Sequence, residues 1–564
     1  MLSLESIELA VPSGSSPLLS GINLQLPGNH FGAIVGPSGC GKSTLLKTIA
    51  GILPHTSGVI RWRGRNLDEK DLDPQELGYV PQFTCAQPRL TVRENITYAA
   101  RLRRTGNERE IQSVIERVEV ETGLTDLYHR RAGVLSGGQL RRLGLAMELT
   151  TNPNLLLADE VTSGLDPKSE EEITALLALL ARQRGRLVLL VTHSLRHLDL
   201  YDSVVVLTGG RLAYAAPPNG LASYFGVSYP EDVYLALTTR DAAEWAEDWN
   251  SSLDEIGFRI ETVLSDAGDS LSDIEGNNSP VPGFFAQAFT WFSRRWKLFW
   301  RDRAQVFLHL SLLLIFPAVV TLFAYQGLPA VRNMTMSPDT NVVQELRETL
   351  AFTVQSSRTG TLVSGLAMFQ VILLALMGSN NSAREVIAER VILEKEKLAG
   401  LRPGAVLTGM GAFFLLLVLA QSFWMTFWVR FVCQFPGEFL EQFIPLALLT
   451  AAMTALCLAV SSWSTSTEQA SLGSLYLVGF QLPLSGAILA LPDFVAWMIR
   501  PGITAYWAWS GYLQTLKQTR FYDLVTAITE TPLGPYTLSL WILFLHLVLG
   551  FSLSYYGLRR SLWR

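Results

Sequence analysis

The chain has 564 residues, more than the roughly 100–200 of one compact domain, so several structural units are expected. Its formal net charge of −5 is small, and it has no basic stripe suited to nucleic acid, so a nucleic-acid partner is not expected. Most acidic residues lie in 1–280, whereas 305–558 contains long apolar runs with few charges. The sequence therefore predicts a soluble first half and a second half that spans a membrane.

The cysteines and the N-terminus indicate the compartment. Four scattered cysteines form no disulfide framework, and reduced thiols in a cytosolic and membrane setting are the first interpretation. An intersubunit disulfide through Cys433, near an outer membrane edge, is the alternative. The N-terminal sequence MLSLESIELAVPSG lacks a basic start followed by an apolar core, so it predicts no secretory signal and a first half on the cytoplasmic side.

The first half alternates short apolar runs with helical stretches. Residues 31–35, 154–158 and 187–191 are continuous apolar runs, which indicate strands of a parallel sheet covered on both faces. Residues 241–263 are predicted to be helical. Residues 264–282 are rich in Ser, Asp, Gly and Pro and cannot build a core, so a linker is predicted there.

The second half opens on an aromatic segment, 284–300, that also contains an Arg/Lys cluster. Its aromatic residues recur at helical spacing: Phe285, Phe289, Phe292, Trp296 and Phe299. A helix lying in the membrane interface fits this pattern, and a helix packed on the membrane domain fits it equally well.

Six runs meet the requirement of about 20 predominantly apolar residues for a membrane span. They are 305–325, 360–380, 405–428, 442–462, 470–492 and 537–557. Lys and Arg concentrate in 381–403 and at the C-terminus, and both clusters fall on the cytoplasmic side if the first half does. The part-apolar stretch 495–537 is expected to pack on, or dip into, the outer leaflet rather than cross it.

A glycine-rich turn joins the strand at 31–35 to a helix predicted from about Lys42 to Ile49. It runs Gly36, Pro37, Ser38, Gly39, Cys40, Gly41, Lys42, Ser43, Thr44 and matches G-x-x-x-x-G-K-[ST]. The glycines let backbone N–H groups surround phosphate oxygens, and the helix N-terminus adds partial positive charge. Lys42 is expected to reach the β- and γ-phosphates of ATP, and Ser43 is expected to bind Mg²⁺.

Two carboxylates, Asp159 and Glu160, end the apolar run at 154–158. Alone, such a pair is more often a strand that ends in solvated acids. Beside a phosphate-binding loop, Asp159 is expected to hold Mg²⁺, and Glu160 is expected to orient or deprotonate the attacking water.

Further short segments stand in a fixed order around these carboxylates: YVPQF with Gln82, LSGGQ with Ser136, Gly137, Gly138 and Gln139, SGLD with Asp166, and VTHS with His193. Taken singly, each has an ordinary structural explanation. Together with the loop they resemble the ATP-binding cassette (ABC) transporter superfamily. That resemblance implies that Gln82 senses the γ-phosphate and helps to hold Mg²⁺, and that His193 holds the γ-phosphate. His197 matches no motif and is expected to be structural.

The resemblance also implies a dimer. Residues 136–139 complete the ATP site of a second subunit, and Asp166 lies at the dimer seam. One cassette and one membrane domain in the chain resemble a half-transporter. Because every catalytic position carries the expected residue, a homodimer with two working sites is predicted, with a heterodimer of related half-transporters as the alternative.

The order of the parts resembles the ABCG (White/pleiotropic-drug-resistance) branch. The fold class expected is an α/β P-loop nucleotide-binding domain (ABC ATPase) followed by an all-α, ABC2-type membrane domain of about six transmembrane helices. The predicted boundaries are 1–240 for the ATP-binding domain, 241–283 for a helical extension and polar linker, and 284–564 for the transmembrane domain. The charged segment 384–403 resembles a coupling region and is expected to meet the cassette near Gln82, and a solvated loop helix is the alternative.

The branch resemblance implies export of a hydrophobic or amphipathic solute such as a lipid, sterol or drug. It places Phe369, Gln370, Phe480 and Gln481 along a central cavity, although plain helix packing is an equal alternative. A non-translocating ATPase that transmits force or a signal to a partner is the competing hypothesis; a large extra-membrane domain or a long helical stalk would favour it, and neither is visible in the sequence. An uptake system is the third hypothesis, and the fusion of cassette and membrane domain in one chain argues against it.

This chain departs from the family pattern at two places. Val161 stands where the family usually has Pro, and 11–28 contains no Tyr or Phe to stack on adenine, so a preference for ATP over GTP is not predicted.

Overall fold

The computed structural model describes residues 1–10, 17–252, 280–324, 342–487 and 490–562. Its contacts divide the chain into two compact units. The first consists of Met1–Gly283 with Lys395–Leu401, and the second of Phe284–Glu394 with Arg402–Arg564. Most of the predicted linker at 264–282 lies outside the described residues, as does the predicted helix at 241–263 beyond residue 252.

The first unit contains two sheets. The strands are β1 (Leu2–Leu9), β2 (Leu19–Leu26), β3 (His30–Val35), β4 (Ser57–Trp62), β5 (Arg65–Asn66), β6 (Leu77–Val80), β7 (Leu155–Asp159), β8 (Leu187–Val191), β9 (Ser203–Thr208) and β10 (Arg211–Ala216). An antiparallel sheet has the order β2-β1-β4-β5, and a six-stranded sheet has the order β10-β9-β3-β8-β7-β6. In the larger sheet β9, β3, β8, β7 and β6 are parallel, as the continuous apolar runs predict, and β10 alone pairs antiparallel.

Helices surround these sheets in the first unit. They are α1 (Lys42–Ile49), α2 (Val92–Arg103), α3 (Glu108–Glu121), α4 (Gly137–Glu148), α5 (Pro167–Ala181), α6 (Leu221–Phe225), α7 (Val233–Ala236) and α8 (242–252). Every residue of β7 and β8 is buried, so these strands form the centre of the core. That burial on both faces explains why their sequences are apolar without alternation.

The parallel strands place the ends of four segments at one edge of the sheet. Val80 is opposite Ala158, and Asp159 and Ile34 are both opposite Val191 in the register. The residues that follow these strand ends therefore emerge side by side, which brings together chain segments far apart in sequence.

The second unit is helical throughout its described part. Its helices are α9 (Phe284–Arg301), α10 (Arg303–Leu322), α11 (Val342–Ser382), α12 (Glu385–Ala388), α13 (Arg390–Leu398, whose last four residues belong to the first unit), α14 (Pro403–Cys433), α15 (Phe439–Trp463), α16 (Thr467–Gly479), α17 (Gln481–Leu484), α18 (Asp493–Ile499), α19 (Thr504–Gln514), α20 (Arg520–Ile528) and α21 (Tyr536–Leu562). Among the described residues, α10, α11, α14, α15 and α21 are long and apolar enough to cross a membrane.

The fifth predicted span differs from the other five because its helix is broken. The run at 470–492 is occupied by the 13-residue α16 and the four-residue α17, separated at Phe480. Pro483, within α17, lacks a backbone N–H and cannot donate a hydrogen bond to the preceding turn, and Gly486, with a φ of +76°, follows the end of α17. Thr531 Oγ1 donates to the carbonyl of Gly486 at 2.6 Å and closes this turn.

The helix that contains the second predicted span begins earlier than that span. The predicted run is 360–380, but α11 extends over 41 residues from Val342, or about 60 Å at 1.5 Å per residue. About half of that length suffices to cross the hydrocarbon core. The helix therefore includes much of what the sequence presents as a loop between spans.

The stretch predicted to pack against or enter the outer leaflet forms the three short helices α18 to α20. All residues from Thr504 to Leu513 in α19 are buried inside the second unit. This burial explains why α19 is apolar although its 11 residues are too few to cross a membrane.

The aromatic helix α9 has an apolar exposed face. Phe285 and Phe289 are 82% and 68% exposed, whereas Arg295 is buried and its Nη2 donates to Glu385 Oε2 at 2.8 Å. A helix in water would show the reverse arrangement, so this face is suited to lipid.

All four cysteines are buried and free. Cys433 has no exposed surface, so it is not accessible for the intersubunit disulfide considered from the sequence.

Candidate active site

The glycine-rich turn follows β3 and opens α1, as its sequence predicts. Gly36, Gly39 and Gly41 have φ of +150°, +81° and +101°. A Cβ on Gly36 would lie 2.1 Å from the carbonyl oxygen of Leu207, so the close approach of strand β9 requires glycine at this position. Lys42 is buried within the turn, where its Nζ donates to the carbonyls of Gly36 and Pro37 at 2.9 Å each.

Oxygen donors suited to a divalent cation lie beside this turn. Ser43 Oγ donates to Asp159 Oδ1 at 2.7 Å, which joins the start of α1 to the end of β7. Tyr79 Oη donates to the other carboxylate oxygen, Oδ2, at 3.2 Å. Burial raises the pKa of Tyr79, and the charge of Asp159 raises it further, so the phenol stays a hydrogen-bond donor at neutral pH. A hydroxyl next to a carboxylate fits Mg²⁺, which prefers oxygen ligands.

The carboxylate of Glu160 is held from two sides. Gln82 Nε2 donates to Oε2 at 2.8 Å, and His193 Nε2 lies 3.0 Å from Oε1. Glu160 has a φ of +49°, a left-handed conformation that is costly for a residue other than glycine and is typical of functional sites. Its backbone N–H donates to Val191 at 3.0 Å. The structure thus brings Gln82, Glu160 and His193 together, although 78 residues separate the first two.

His193 is fixed by a residue that the sequence analysis did not single out. Tyr234 Oη, on α7, donates to the carbonyl of His193 at 2.9 Å. Burial raises the pKa of Tyr234 to about 12. Tyr234 also lines a cavity of about 480 Å³ together with Glu160, His193 and neighbouring residues. No motif in the sequence marks this tyrosine, because the contact arises only when α7 folds back.

The LSGGQ segment forms the start of α4. Ser136 is the N-cap of this helix, and its hydroxyl accepts from the backbone of Gln139, whose side chain accepts from the backbone of Ser136. Ser136 and Gly137 are exposed and Gly138 is buried. Asp166 is likewise the N-cap of α5, where two hydrogen bonds from Ser169 lower its pKa.

The other residues discussed from the sequence lie outside the Glu160 contacts or outside the described residues. Val161 is fully buried in the core, so it fills space rather than stiffening an exposed turn. His197 lies just before a short 3₁₀ turn. The residues 11–16, part of the segment that lacks an adenine-stacking aromatic, lie outside the described residues.

The four residues expected along a cavity of the membrane domain differ in how far they are exposed. Gln370 is fully buried and its Nε2 donates to Leu366 within α11. The amide oxygen of Gln481 accepts from the backbone of Ala505 at the start of α19. Phe369 is half-buried, and Phe480 is 59% exposed.

Family models match both parts of the chain. The model described as "ABC transporter" matches residues 19–163, and that described as "ABC-2 type transporter" matches 286–512.

Known proteins are similar to parts of this chain. A phosphonates import ATP-binding protein of Synechococcus is 34% identical over 267 residues, which is 45% of this chain and 93% of that protein. ABC transporter G family member 4 of Arabidopsis thaliana is 38% identical over 204 residues, 35% of this chain and 34% of that protein. An ABC transporter ATP-binding/permease protein of Mycobacterium tuberculosis is 37% identical over 230 residues, 40% of this chain and 26% of that protein. This chain thus spans only about a quarter to a third of the last two relatives.

The phosphate-binding turn, the carboxylates at the carboxyl edge of a parallel sheet and the two matched models agree with one another. The chain belongs to the ABC transporter family, and its ATP-binding ATPase domain followed by an ABC-2 type membrane domain fits an ABCG-like half-transporter.

Proposed function

We propose that this protein uses ATP hydrolysis to export a hydrophobic or amphipathic solute across a membrane. The observation that carries the proposal is the position of Glu160, whose carboxylate is held by Gln82 and His193 beside the Ser43–Asp159 pair. A carboxylate in this place can orient or deprotonate a water that attacks the γ-phosphate. The membrane domain in the same chain supplies the structure that hydrolysis would move.

Ser43, Asp159 and Gln82 would hold Mg²⁺. When bound, the ion neutralises phosphate charge during phosphoryl transfer. The residues of this chain then bind and orient: Lys42 binds the phosphates, His193 contacts the γ-phosphate, and Glu160 takes the proton of the attacking water. The exposure of Ser136 and Gly137 supports a homodimer in which they complete the partner's site.

Within the proposal, the ATPase domain lies on the cytoplasmic side of a multi-pass membrane protein. The concentration of Lys and Arg between the second and third spans supports this orientation. The apolar exposed face of α9 supports contact with lipid. For the solute path, exposed Phe480 and half-buried Phe369 suit an apolar molecule, and buried Gln370 and Gln481 would act by shaping the helices around it.

The first test uses Glu160→Gln, which keeps the side-chain size but removes the base. The variant is expected to bind ATP normally and to hydrolyse it at least about 100-fold more slowly, because general-base catalysis contributes about 10²–10⁴-fold. Radiolabelled ATP binding and phosphate release measure the two quantities. Turnover at the parent rate would contradict the role of Glu160.

The second test addresses the solute. Purified protein in liposomes is screened with sterols, phospholipids and amphipathic drugs for stimulated ATPase activity and for ATP-dependent movement, with Glu160→Gln as the inactive control. Movement that requires Glu160 supports export.

One observation favours a second function, a non-translocating ATPase that acts on a partner. The 41-residue α11 is about twice as long as a span requires and could serve as a stalk. ATP hydrolysis in liposomes without movement of any solute in the screen would favour this function.

A further inference from the structure

Tyr79 connects the metal-holding carboxylate to the interior of the first unit. It lies on β6, which pairs with β7 so that Val80 is opposite Ala158. Only 7% of Tyr79 is exposed. Its hydroxyl donates a hydrogen bond to Asp159 Oδ2, and the Ser43 hydroxyl donates one to Oδ1, so both carboxylate oxygens of Asp159 are held.

The backbone of the same tyrosine contacts a buried ion cluster. Tyr79 N donates to Glu148 Oε2 at 3.3 Å. Glu148, the last residue of α4, also receives Arg103 Nη2 at 2.7 Å and Lys395 Nζ at 3.0 Å. All three charged side chains are at most 6% exposed, so their mutual geometry is under strong electrostatic constraint.

Lys395 brings a segment from between two predicted spans into this buried cluster of the first unit. It comes from the charged segment between the second and third spans in the sequence, yet it belongs to the first unit by its contacts. Gly400 in the same segment packs near Pro74 and Val281, and Leu398 packs against the core. The sequence predicts contact of this segment with the cassette near Gln82; its salt bridge is with Glu148, which accepts a hydrogen bond from the backbone of Tyr79, three residues before Gln82.

We propose that Tyr79 is a positioning residue that fixes Asp159 for Mg²⁺ and links it to the Glu148–Lys395 ion pair. A shift of the 395–401 segment changes how Glu148 holds the backbone of Tyr79. The tyrosine ring transmits that change to Asp159 by its hydroxyl, on a route separate from the Gln82 side chain. The inference rests on the proposed use of Mg²⁺ with ATP.

The experiment measures metal binding rather than turnover. The full-length Glu160→Gln protein in lipid nanodiscs is titrated with Mn²⁺ in the presence of ATP, and free Mn²⁺ is followed by electron paramagnetic resonance. Adding Tyr79→Phe is expected to weaken Mn²⁺ binding by about tenfold, the lower end of effects seen when a partner of a metal ligand is removed. ATP binding in EDTA is expected to be unchanged.

Tyr214→Phe is the matched control. Tyr214 is also buried, and its hydroxyl donates to the carbonyl of Pro217 at 2.7 Å, outside the phosphate and metal site. The Tyr214→Phe variant loses a comparable hydrogen bond but should leave the Mn²⁺ affinity unchanged. Equal Mn²⁺ affinity in the Tyr79→Phe and parent proteins overturns the proposal.

The link to the ion pair is tested by a double-mutant cycle. Lys395→Met is expected to weaken Mn²⁺ binding by at least about twofold, Lys395→Arg to preserve it, and Lys395→Met to have no effect once Tyr79→Phe is present. Additive effects, or no effect of Lys395→Met, overturn the link. If Tyr79→Phe does not fold, the link is tested by comparing the Mn²⁺ affinities of Lys395→Met and Lys395→Arg alone. A parent that binds no Mn²⁺ with ATP would instead refute the proposed function.

Discussion

At the scale of single residues, backbone conformation and side-chain chemistry are set together at the site. The left-handed conformation of Glu160 turns the chain sharply after β7. Asp159 and Glu160 are adjacent in sequence, yet this turn lets one carboxylate contact Ser43 and Tyr79 and the other contact Gln82 and His193. Strain of about 1–3 kcal/mol persists at such a position because several contacts hold it.

Gly36 provides a prediction at this scale. Gly36→Ala is expected to destabilise the first unit by about 2–4 kcal/mol and to abolish ATP binding, because the new methyl group overlaps the carbonyl oxygen of Leu207. Gly39→Ala is the control, since no atom lies within 4 Å of its added Cβ and only the backbone φ of +81° is strained. Thermal unfolding and ATP binding measure the difference. Equal losses in the two variants would show that strain, not overlap, dominates.

At the scale of elements, α4 joins two functional regions. Its first turn carries the exposed Ser136 and Gly137, and its last residue, Glu148, holds the buried cluster with Arg103 and Lys395. Because a helix of 12 residues is stiff, a displacement at one end reaches the other. The sequence marks the first end by its motif, whereas nothing in the sequence marks Glu148 as the partner of a lysine 247 residues later.

The Glu148 cluster gives a pH prediction. Burial alone would raise the pKa of Glu148, but Arg103 and Lys395 outweigh it, and the pKa is lowered. The Glu148 carboxylate therefore contributes fully to the free energy of unfolding above the unfolded-state glutamate pKa of about 4.3. That contribution is lost as the pH falls through the lower pKa of Glu148 in the folded state.

The measurement is thermal unfolding of the full chain between pH 7 and pH 3. Glu148→Gln is expected to lower stability at pH 7 by about 3–5 kcal/mol, because two buried cations lose their counter-charge. It is also expected to flatten the loss of stability at acid pH. Glu172→Gln, which removes a partly exposed partner of Arg142, is the control and should change little. An unchanged acid limb in Glu148→Gln would contradict the assignment.

At the scale of the whole molecule, the proposed ATP site needs two chains. Lys42, Asp159 and Glu160 lie on one subunit, and residues 136–138 are proposed to close the site of the other. A symmetric dimer then contains two identical composite sites.

Complementation between defective subunits tests this arrangement. Lys42→Ala and Ser136→Glu are each expected to abolish nucleotide occlusion in their own homodimers. In a mixed dimer, one composite site carries both changes and the other carries neither. Random mixing makes about half of the dimers mixed, so about a quarter of the sites should occlude ATP, as measured with a photoreactive ATP analogue. No recovery in purified mixed dimers would contradict composite sites.

The sequence alone determined the family, the parallel sheet and the phosphate-binding turn. Local chemistry sufficed there: glycines at fixed spacing before a Lys-Ser pair, and apolar strands that end in carboxylates, allow few other structures. The apolar runs also located the five helices of the described residues that are long and apolar enough to cross a membrane, because crossing a bilayer requires about 20 apolar residues in any fold.

Only the tertiary structure decided which distant groups meet. It joined Tyr79 to Asp159, Tyr234 to His193 and Lys395 to Glu148, and it buried the amide side chains of Gln370 and Gln481. It also broke the helix at the fifth predicted span and extended the helix that contains the second. These features depend on long-range packing and on pairs of polar atoms brought together by the sheet register and helix contacts. A periodic pattern in one segment does not identify the distant residue that a side chain of that segment will contact. The folded chain determines that residue, because buried polar groups must be paired.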